Sequence, residues 1–144
     1  ALKIADYIAD KGSILLYEVD KNNNEKVEKS ENNPIIEMPV IILTNENTAS
    51  SSEILAGALK DLGKAKIVGT KTYGKGVIQQ LLTLPNGSGV KITSEEYLTP
   101  NKTKINKIGI EPDEKVELPE ESKNKLVIEE KEDTQLQKAI EMSR

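Results

Sequence analysis

The chain has 144 residues, of which 36% are hydrophobic and 31% charged, and a net charge of −4. That length fits one domain able to bury roughly two thirds of its unfolded surface, and no run nears the ~18 apolar residues of a membrane span. Scattered lysines, an acidic balance and 3% aromatic residues argue against nucleic-acid binding, while the absence of cysteine removes disulfides and thiolate metal sites.

Leu2, Ile4, Ala5, Ile8 and Ala9 recur at helical spacing, which predicts a helix over residues 1–10 with one buried face, stopped by Lys11-Gly12. It starts at residue 1 with no capping residue and with alanine where a natural start has methionine. The expectation is a fragment cut inside or just before an element. Ser13 to Val19, around Ile-Leu-Leu-Tyr, reads as a strand. Residues 20–34 are polar throughout and read as a mobile surface loop or hairpin tip.

Pro39-Val-Ile-Ile-Leu-Thr44 is short and β-branched, the composition of a strand buried on both faces in a parallel or mixed sheet. A helix follows from Ala49 or Ser50 to Asp61, with Ile54, Leu55, Ala58, Leu59 and Leu62 on one side and Gly63 as its stop. Residues 66–69 form another strand. Val77 to Leu84 and Val90 to Leu98 read as two strands joined through Pro85-Asn-Gly-Ser-Gly89. The segment from Thr99 to about Glu114 is irregular, and residues 134–142 form a closing helix. Strand, helix, strand in the middle of the chain imply a crossover unit and hence an α/β domain.

With neither histidine nor cysteine in the chain, nucleophilic chemistry has to use a hydroxyl, and its base cannot be an imidazole. A serine activated by a neutral lysine is the remaining common arrangement. Two stretches bear on it. Ser50-Ser-Ser-Glu53 at a helix start matches a capping box, a purely structural device. The same position offers free amides and a favourable dipole to an oxyanion, so one serine can cap while another reacts. Tyr73-Gly-Lys-Gly76 can be an ordinary exposed turn. A phosphate loop fits Gly69-Thr-Lys-Thr-Tyr-Gly-Lys75 only in part: Gly76 stands where Ser or Thr would hold magnesium, and strand-forming residues follow where a helix is needed.

Asn45-x-x-Thr-Ala-Ser50-Ser-Ser-Glu53-Ile-x-Ala-Gly-Ala, followed by Gly69-x-x-Thr72-Tyr-Gly-Lys75-Gly-x-x-Gln79, resembles the catalytic core of the carboxy-terminal processing (tail-specific) proteases. Tyr97-Leu-Thr-Pro100, Gly109-Ile-Glu-Pro-Asp113 and Asp133-x-Gln-Leu-x-Lys-Ala139 extend the likeness over most of the chain. The resemblance implies a crotonase/Clp-protease-like α/β fold, a mixed sheet with flanking helices. It divides the chain into a partial catalytic core over 1–118 and a carboxy-terminal linker and helix over 119–144.

It further implies Ser50 as nucleophile, Lys75 as general base, Gln79 orienting the amine, and the Ser51 amide donating to the oxyanion. Ser51 stands where the family usually has alanine. No cofactor or metal is expected. The partner is a polypeptide substrate cleaved near its carboxy-terminus through an acyl-enzyme, in the cell envelope or at a membrane, and a PDZ domain is expected in the parent chain. The family's glycine-rich Asn-Pro-Gly-Gly-type loop, source of the other oxyanion amide, has no counterpart in these residues, so the fragment itself is expected to be inactive.

The chemistry sets two requirements. A free lysine amine, with a pKa of ~10.4, is protonated near neutral pH, so the base needs a dry pocket with no carboxylate beside it. Residues four apart in an extended strand lie ~13 Å apart, so the backbone coils between Lys75 and Gln79 or their contact is indirect. One other reading stays open, a non-catalytic scaffold or folding unit of a crotonase-type α/β protein; members of that superfamily that use coenzyme A thioesters fit less well, because the Ser and Lys motifs favour peptide hydrolysis.

Overall fold

A computed structural model describes every residue except 124 and 126. Two sheets form among the described residues. The first is antiparallel, in the order β2-β1-β6-β5, from β1 (Ile14–Asp20), β2 (Glu25–Lys29), β5 (Val77–Thr83) and β6 (Gly89–Leu98). The second is parallel, in the order β3-β4-β7, from β3 (Val40–Thr44), β4 (Ala65–Gly69) and the two-residue β7 (Glu114–Lys115). The parallel and antiparallel pairings of the mixed α/β fold thus segregate.

Helix α2 (Ser51–Asp61) is the crossover between β3 and β4, which pair in parallel from Val40↔Ala65 to Thr44↔Gly69. Its sequence explains its position: Leu59 packs with Ala5, Ile8, Ala9 and Leu15 in one buried cluster, and Ala56 with Ile67, Ile105 and Ile110 in another. A helix gripped on two sides has little freedom to slide or rotate, so its first residue is held against the carboxyl ends of β3 and β4.

Three local expectations are corrected. Helix α1 spans only Leu2–Asp6, because the Asp6 carboxylate turns to the segment around Ser30 and the Tyr7 carbonyl accepts the Ile35 and Ile36 amides. Ala5, Ile8 and Ala9 are buried as the periodicity requires, whereas Ile4 is exposed. Residues 20–34 include a strand: Glu25–Lys29 pairs antiparallel with β1 across a turn in which Asp20 accepts the Asn22 and Asn24 amides. Strand β3 is not buried on both faces, since Val40, Ile41 and Ile42 are only half-buried and Leu43 is exposed.

Helix α3 (Thr134–Met142) is capped by Asp133, which accepts the Leu136 amide. It buries Ala139, and its Gln135 side chain donates to the Val116 carbonyl just past β7.

Candidate active site

The turn from β3 into α2 and the connection from β4 to β5 run side by side at the carboxyl end of the parallel sheet. Main-chain bonds stitch them together: the Thr70 amide donates to the Thr44 carbonyl at 2.9 Å and the Tyr73 amide to the Thr48 carbonyl at 2.9 Å. Ligand and catalytic sites of α/β proteins collect at this end because loops from neighbouring strands meet there.

Ser50 occupies the N-cap of α2, half-buried, with φ +56° and ψ −118°. A positive φ is uncommon for a residue with a side chain, and such strain costs on the order of 1–3 kcal/mol. It persists only where the surroundings over-determine it, as at the strand-to-helix turns that carry nucleophiles in some α/β enzymes. Here the Ser50 amide is pinned to Oε2 of Glu53 at 2.9 Å. The Glu53 amide donates to the Ser50 main-chain carbonyl, also at 2.9 Å, and the Ser50 side chain faces that same amide as the other half of a capping box. Ser51 opens the helix, and its amide has no main-chain acceptor among the described residues.

Glu53 is fully buried and organises the surroundings. Its Oε1 accepts the Thr72 hydroxyl at 2.5 Å and the Gly74 amide at 2.7 Å. Its Oε2 accepts the Lys75 amide at 2.8 Å in addition to that of Ser50. These donors match the acceptor-only character of a carboxylate and offset the cost of burying it. Thr72 is itself fixed, because its hydroxyl accepts the Ile110 amide at 2.7 Å while its own amide donates to the Ile110 carbonyl at 3.1 Å. Accepting from Ile110 leaves the hydroxyl proton free to point at Glu53.

Gly109 makes this close approach possible. It has φ +76°, and a Cβ there would collide with the Thr72 carbonyl oxygen.

The structure brings the backbones of Ser50 and Lys75 to one carboxylate oxygen. It does not place the lysine in a dry pocket: the Lys75 side chain is exposed, and it forms no ion pair among the described residues. Gln79 lies on β5, and its side-chain amide donates to the Thr93 hydroxyl at 3.3 Å. The chain between Lys75 and Val77 is irregular, and the β5–β6 register shifts between Ile78 and Gln79.

Sequence reasoning assigned Glu53 only the returning half of a capping box and gave Thr72 no role. A glutamate three residues past a candidate nucleophile, with a threonine three residues before a candidate base, was the signal available.

Fold and turn together define an α/β protein of the crotonase and Clp-protease type. Residues 1–116 match Peptidase family S41, and the chain belongs to that family. It is 41% identical over 128 residues to a carboxyl-terminal-processing protease of Picosynechococcus sp., covering 89% of this chain and 30% of the relative. It is 43% identical over 113 residues to the chloroplastic carboxyl-terminal-processing peptidase 1 of Arabidopsis thaliana, covering 78% of this chain and 23% of that protein. The structure of a photosystem II D1 C-terminal processing protease superposes with a TM-score of 0.76 at 39% identity, over 82% of this chain and 31% of that one. The chain therefore spans less than a third of the length of these relatives.

Proposed function

We propose that the protein is a serine endopeptidase that cleaves polypeptides near their carboxy-termini, with Ser50 as nucleophile, Lys75 as general base, Gln79 as an orienting group and the Ser51 amide as an oxyanion donor. The observation that carries this reading is the shared Glu53 oxygen, which ties the backbone of the hydroxyl-bearing turn to that of the lysine loop. The relatives' names, carboxyl-terminal-processing protease and peptidase, agree with it.

In this mechanism Ser50 Oγ attacks the peptide carbonyl carbon while its proton passes to the neutral Lys75 amine. The oxyanion faces the Ser51 amide at the positive end of α2. Collapse breaks the C–N bond, the departing amine takes the proton back from Lys75, and an ester on Ser50 remains. Water hydrolyses that ester, giving up its proton through the same amine. Bulk water must be kept from Lys75 before the attack, because hydration favours the protonated ammonium, which has no lone pair to take the serine proton. As the side chain is exposed here, the bound polypeptide supplies that cover.

We assign the parent protein to the cell envelope or a membrane surface, with a PDZ domain in the same chain. The 144-residue chain alone is expected to cleave slowly or not at all, since the start of α2 offers the oxyanion one amide, that of Ser51. The test is digestion of an unstructured protein by the parent enzyme and its Ser50→Ala variant, followed by mass spectrometry of the fragments. Loss of all cleavage in Ser50→Ala supports the assignment, and undiminished cleavage overturns it.

A further inference from the structure

Residues 71–76 alternate in burial: Thr72, Gly74 and Gly76 are buried, whereas Lys71, Tyr73 and Lys75 are exposed. A period of two belongs to an extended segment that lays one face against a wall. The wall here is the turn from Ile105 to Gly109. It closes on itself, with the Ile108 and Gly109 amides both donating to the Ile105 carbonyl, at 3.0 and 2.8 Å. Ile105 is buried in one cluster with Ala56 of α2 and Ile67 of β4. The wall is therefore packed on the same helix that starts at Ser50.

Each inward residue of the segment is fitted to its surroundings through the main chain. The Thr72 amide donates to the Ile110 carbonyl at 3.1 Å, and the Thr72 hydroxyl accepts the Ile110 amide at 2.7 Å. The Gly74 carbonyl accepts the Lys107 amide at 2.8 Å, and the Gly76 carbonyl accepts the Tyr97 amide at 2.8 Å. A Cβ on Gly74 would lie 2.9 Å from the Gly109 nitrogen, and one on Gly76 only 2.5 Å from the Asn106 nitrogen. Nothing larger than hydrogen fits between loop and turn at either position. Gly74 has φ +90° as a second reason to be glycine, but Gly76 is not among the positive-φ residues. Close approach to the turn alone requires it.

This seating bears on the base. A lysine amine rides on a flexible four-carbon stem, so the fold controls it chiefly through where the main chain is held. The Lys75 amide is fixed to Glu53 at 2.8 Å, and one bond leaves a loop free to pivot. The wall behind Gly74 and Gly76 removes that freedom.

We propose that the turn from Ile105 to Gly109 is the seat of the general base, a positioning element that sets the reach of Lys75 toward Ser50 by clasping Gly74 and Gly76, with the Thr72 hydroxyl as its latch. These residues act through the Lys75 main chain and not on the reacting atoms. The inference rests on the peptidase reading for the role of the lysine. A misplacement of about 1 Å can cost about a hundredfold in rate. Loosening the seat should therefore lower kcat while KM is held, the pattern of an interaction that matters only in the transition state.

The test compares Thr72→Val, Thr72→Ser and Gly76→Ala in the parent enzyme, with Thr99→Val as control. Thr72→Val keeps the volume and removes the latch, Thr72→Ser keeps the hydroxyl, and Gly76→Ala drives a wedge between loop and turn. Thr99 is matched to Thr72, since each is 5% exposed and its hydroxyl also accepts a main-chain amide, that of Thr103 at 3.2 Å. The expected kcat falls at least about tenfold in Thr72→Val and about a hundredfold in Gly76→Ala, with KM within about twofold. Thr72→Ser and Thr99→Val should stay within about threefold of the native kcat. A second readout needs no cleavage. In the 144-residue chain, Thr72→Val and Gly76→Ala should speed hydrogen exchange at the Gly74 and Lys75 amides at least about tenfold more than at the core amide of Ile67.

A native kcat in Thr72→Val overturns the proposal. So does a loss in Thr99→Val equal to that in Thr72→Val, because loosening the interior anywhere would then have the same effect. Unchanged exchange at Gly74 and Lys75 in both variants overturns it as well. If Gly76→Ala does not fold, the Thr72 pair decides, since Thr72→Ser retains the hydroxyl that Thr72→Val lacks. The two readings fail separately: a native parent enzyme that cleaves nothing removes the peptidase reading and leaves exchange to decide whether the turn seats the loop, whereas cleavage that survives Thr72→Val at full kcat removes the seat alone.

Discussion

Ser50 and Lys75, separated by a helix and a strand in the chain, donate their main-chain amides to the same atom, Oε2 of Glu53, at 2.9 and 2.8 Å. The two nitrogens are therefore no further apart than those two bonds laid end to end. Each backbone is restrained independently of where its side chain points. The strained φ of Ser50 and the irregular path of residues 70–76 are held by one buried group, and the other oxygen of that group is anchored through Thr72 to the Ile110 main chain.

Replacing Glu53 tests how much of the molecule depends on that group. Glu53→Ala leaves several buried donors without an acceptor and opens a cavity, with an expected loss of about 3–5 kcal/mol. Glu53→Gln keeps the volume but points an NH2 at donors, and about 2–4 kcal/mol is expected. Urea unfolding of the purified chain measures both. A Gln variant within about 0.5 kcal/mol of the native chain would show that the carboxylate is not needed.

Ser50→Ala and Lys75→Ala should do the reverse, sparing the fold and removing the chemistry. The Lys75 side chain is exposed, and surface changes of this kind usually stay within about 0.5 kcal/mol. In the parent enzyme, either substitution should abolish turnover of an unstructured protein while leaving the thermal unfolding transition in place. A Lys75→Ala enzyme with native turnover would end the dyad assignment.

The crossover was legible in the sequence because α2 and its flanking strands write their burial into apolar spacing, from Val40 through Leu59 to Val68. Strand β2 was not, because Glu25–Lys29 buries almost nothing and is held by pairing. Val27 sits opposite Tyr17, and Lys26 bridges Glu18 at 3.1 Å and Glu28 at 2.6 Å. Helix α1 stopped early for a similar reason, since the partner of Asp6 lies about Ser30 and leaves no mark at short range. At the candidate site, Ser50 and Lys75 stood out as motif residues. The dual use of Glu53 was hidden because its partners Thr72 and Gly74 come from the next connection, and a capping box already accounts for a glutamate at that position. The exposure of the Lys75 side chain could not be foreseen from spacing, which says nothing about what covers a loop.

Gly109→Ala should damage the same network from outside. An alanine there has to adopt φ +76° and to push its Cβ against the Thr72 carbonyl, so Thr72 must shift and with it the hydroxyl bonded to Glu53. Gly12→Ala is the natural control, because Gly12 has φ +86° but open space around it. The expected cost is about 1 kcal/mol at Gly12, where only the backbone term acts, and at least about 2 kcal/mol more at Gly109. Equal losses at the two positions would mean that the close approach to Thr72 has no energetic weight.

Acid should loosen the attachment of α1 through Asp6. Its carboxylate accepts the Ser30 hydroxyl at 2.5 Å, the Asn32 side-chain amide at 2.6 Å, and the main-chain amides of Asn32 at 3.1 Å and Glu31 at 2.8 Å. These donors, the Ser30 hydroxyl foremost and the Asn32 groups next, hold the Asp6 carboxyl far below the usual carboxylate range. A group depressed in the folded state binds its proton more readily in the unfolded chain. Its contribution is therefore complete above the unfolded pKa of about 3.9 and is lost progressively as pH falls below that value toward the folded one. Unfolding midpoints of the native chain and of Asp6→Asn should differ at pH 7 and converge as the pH is lowered through 4 toward 3. A gap that keeps its size over that range would show that the bonds to Ser30 and Asn32 do not depend on the charge of Asp6.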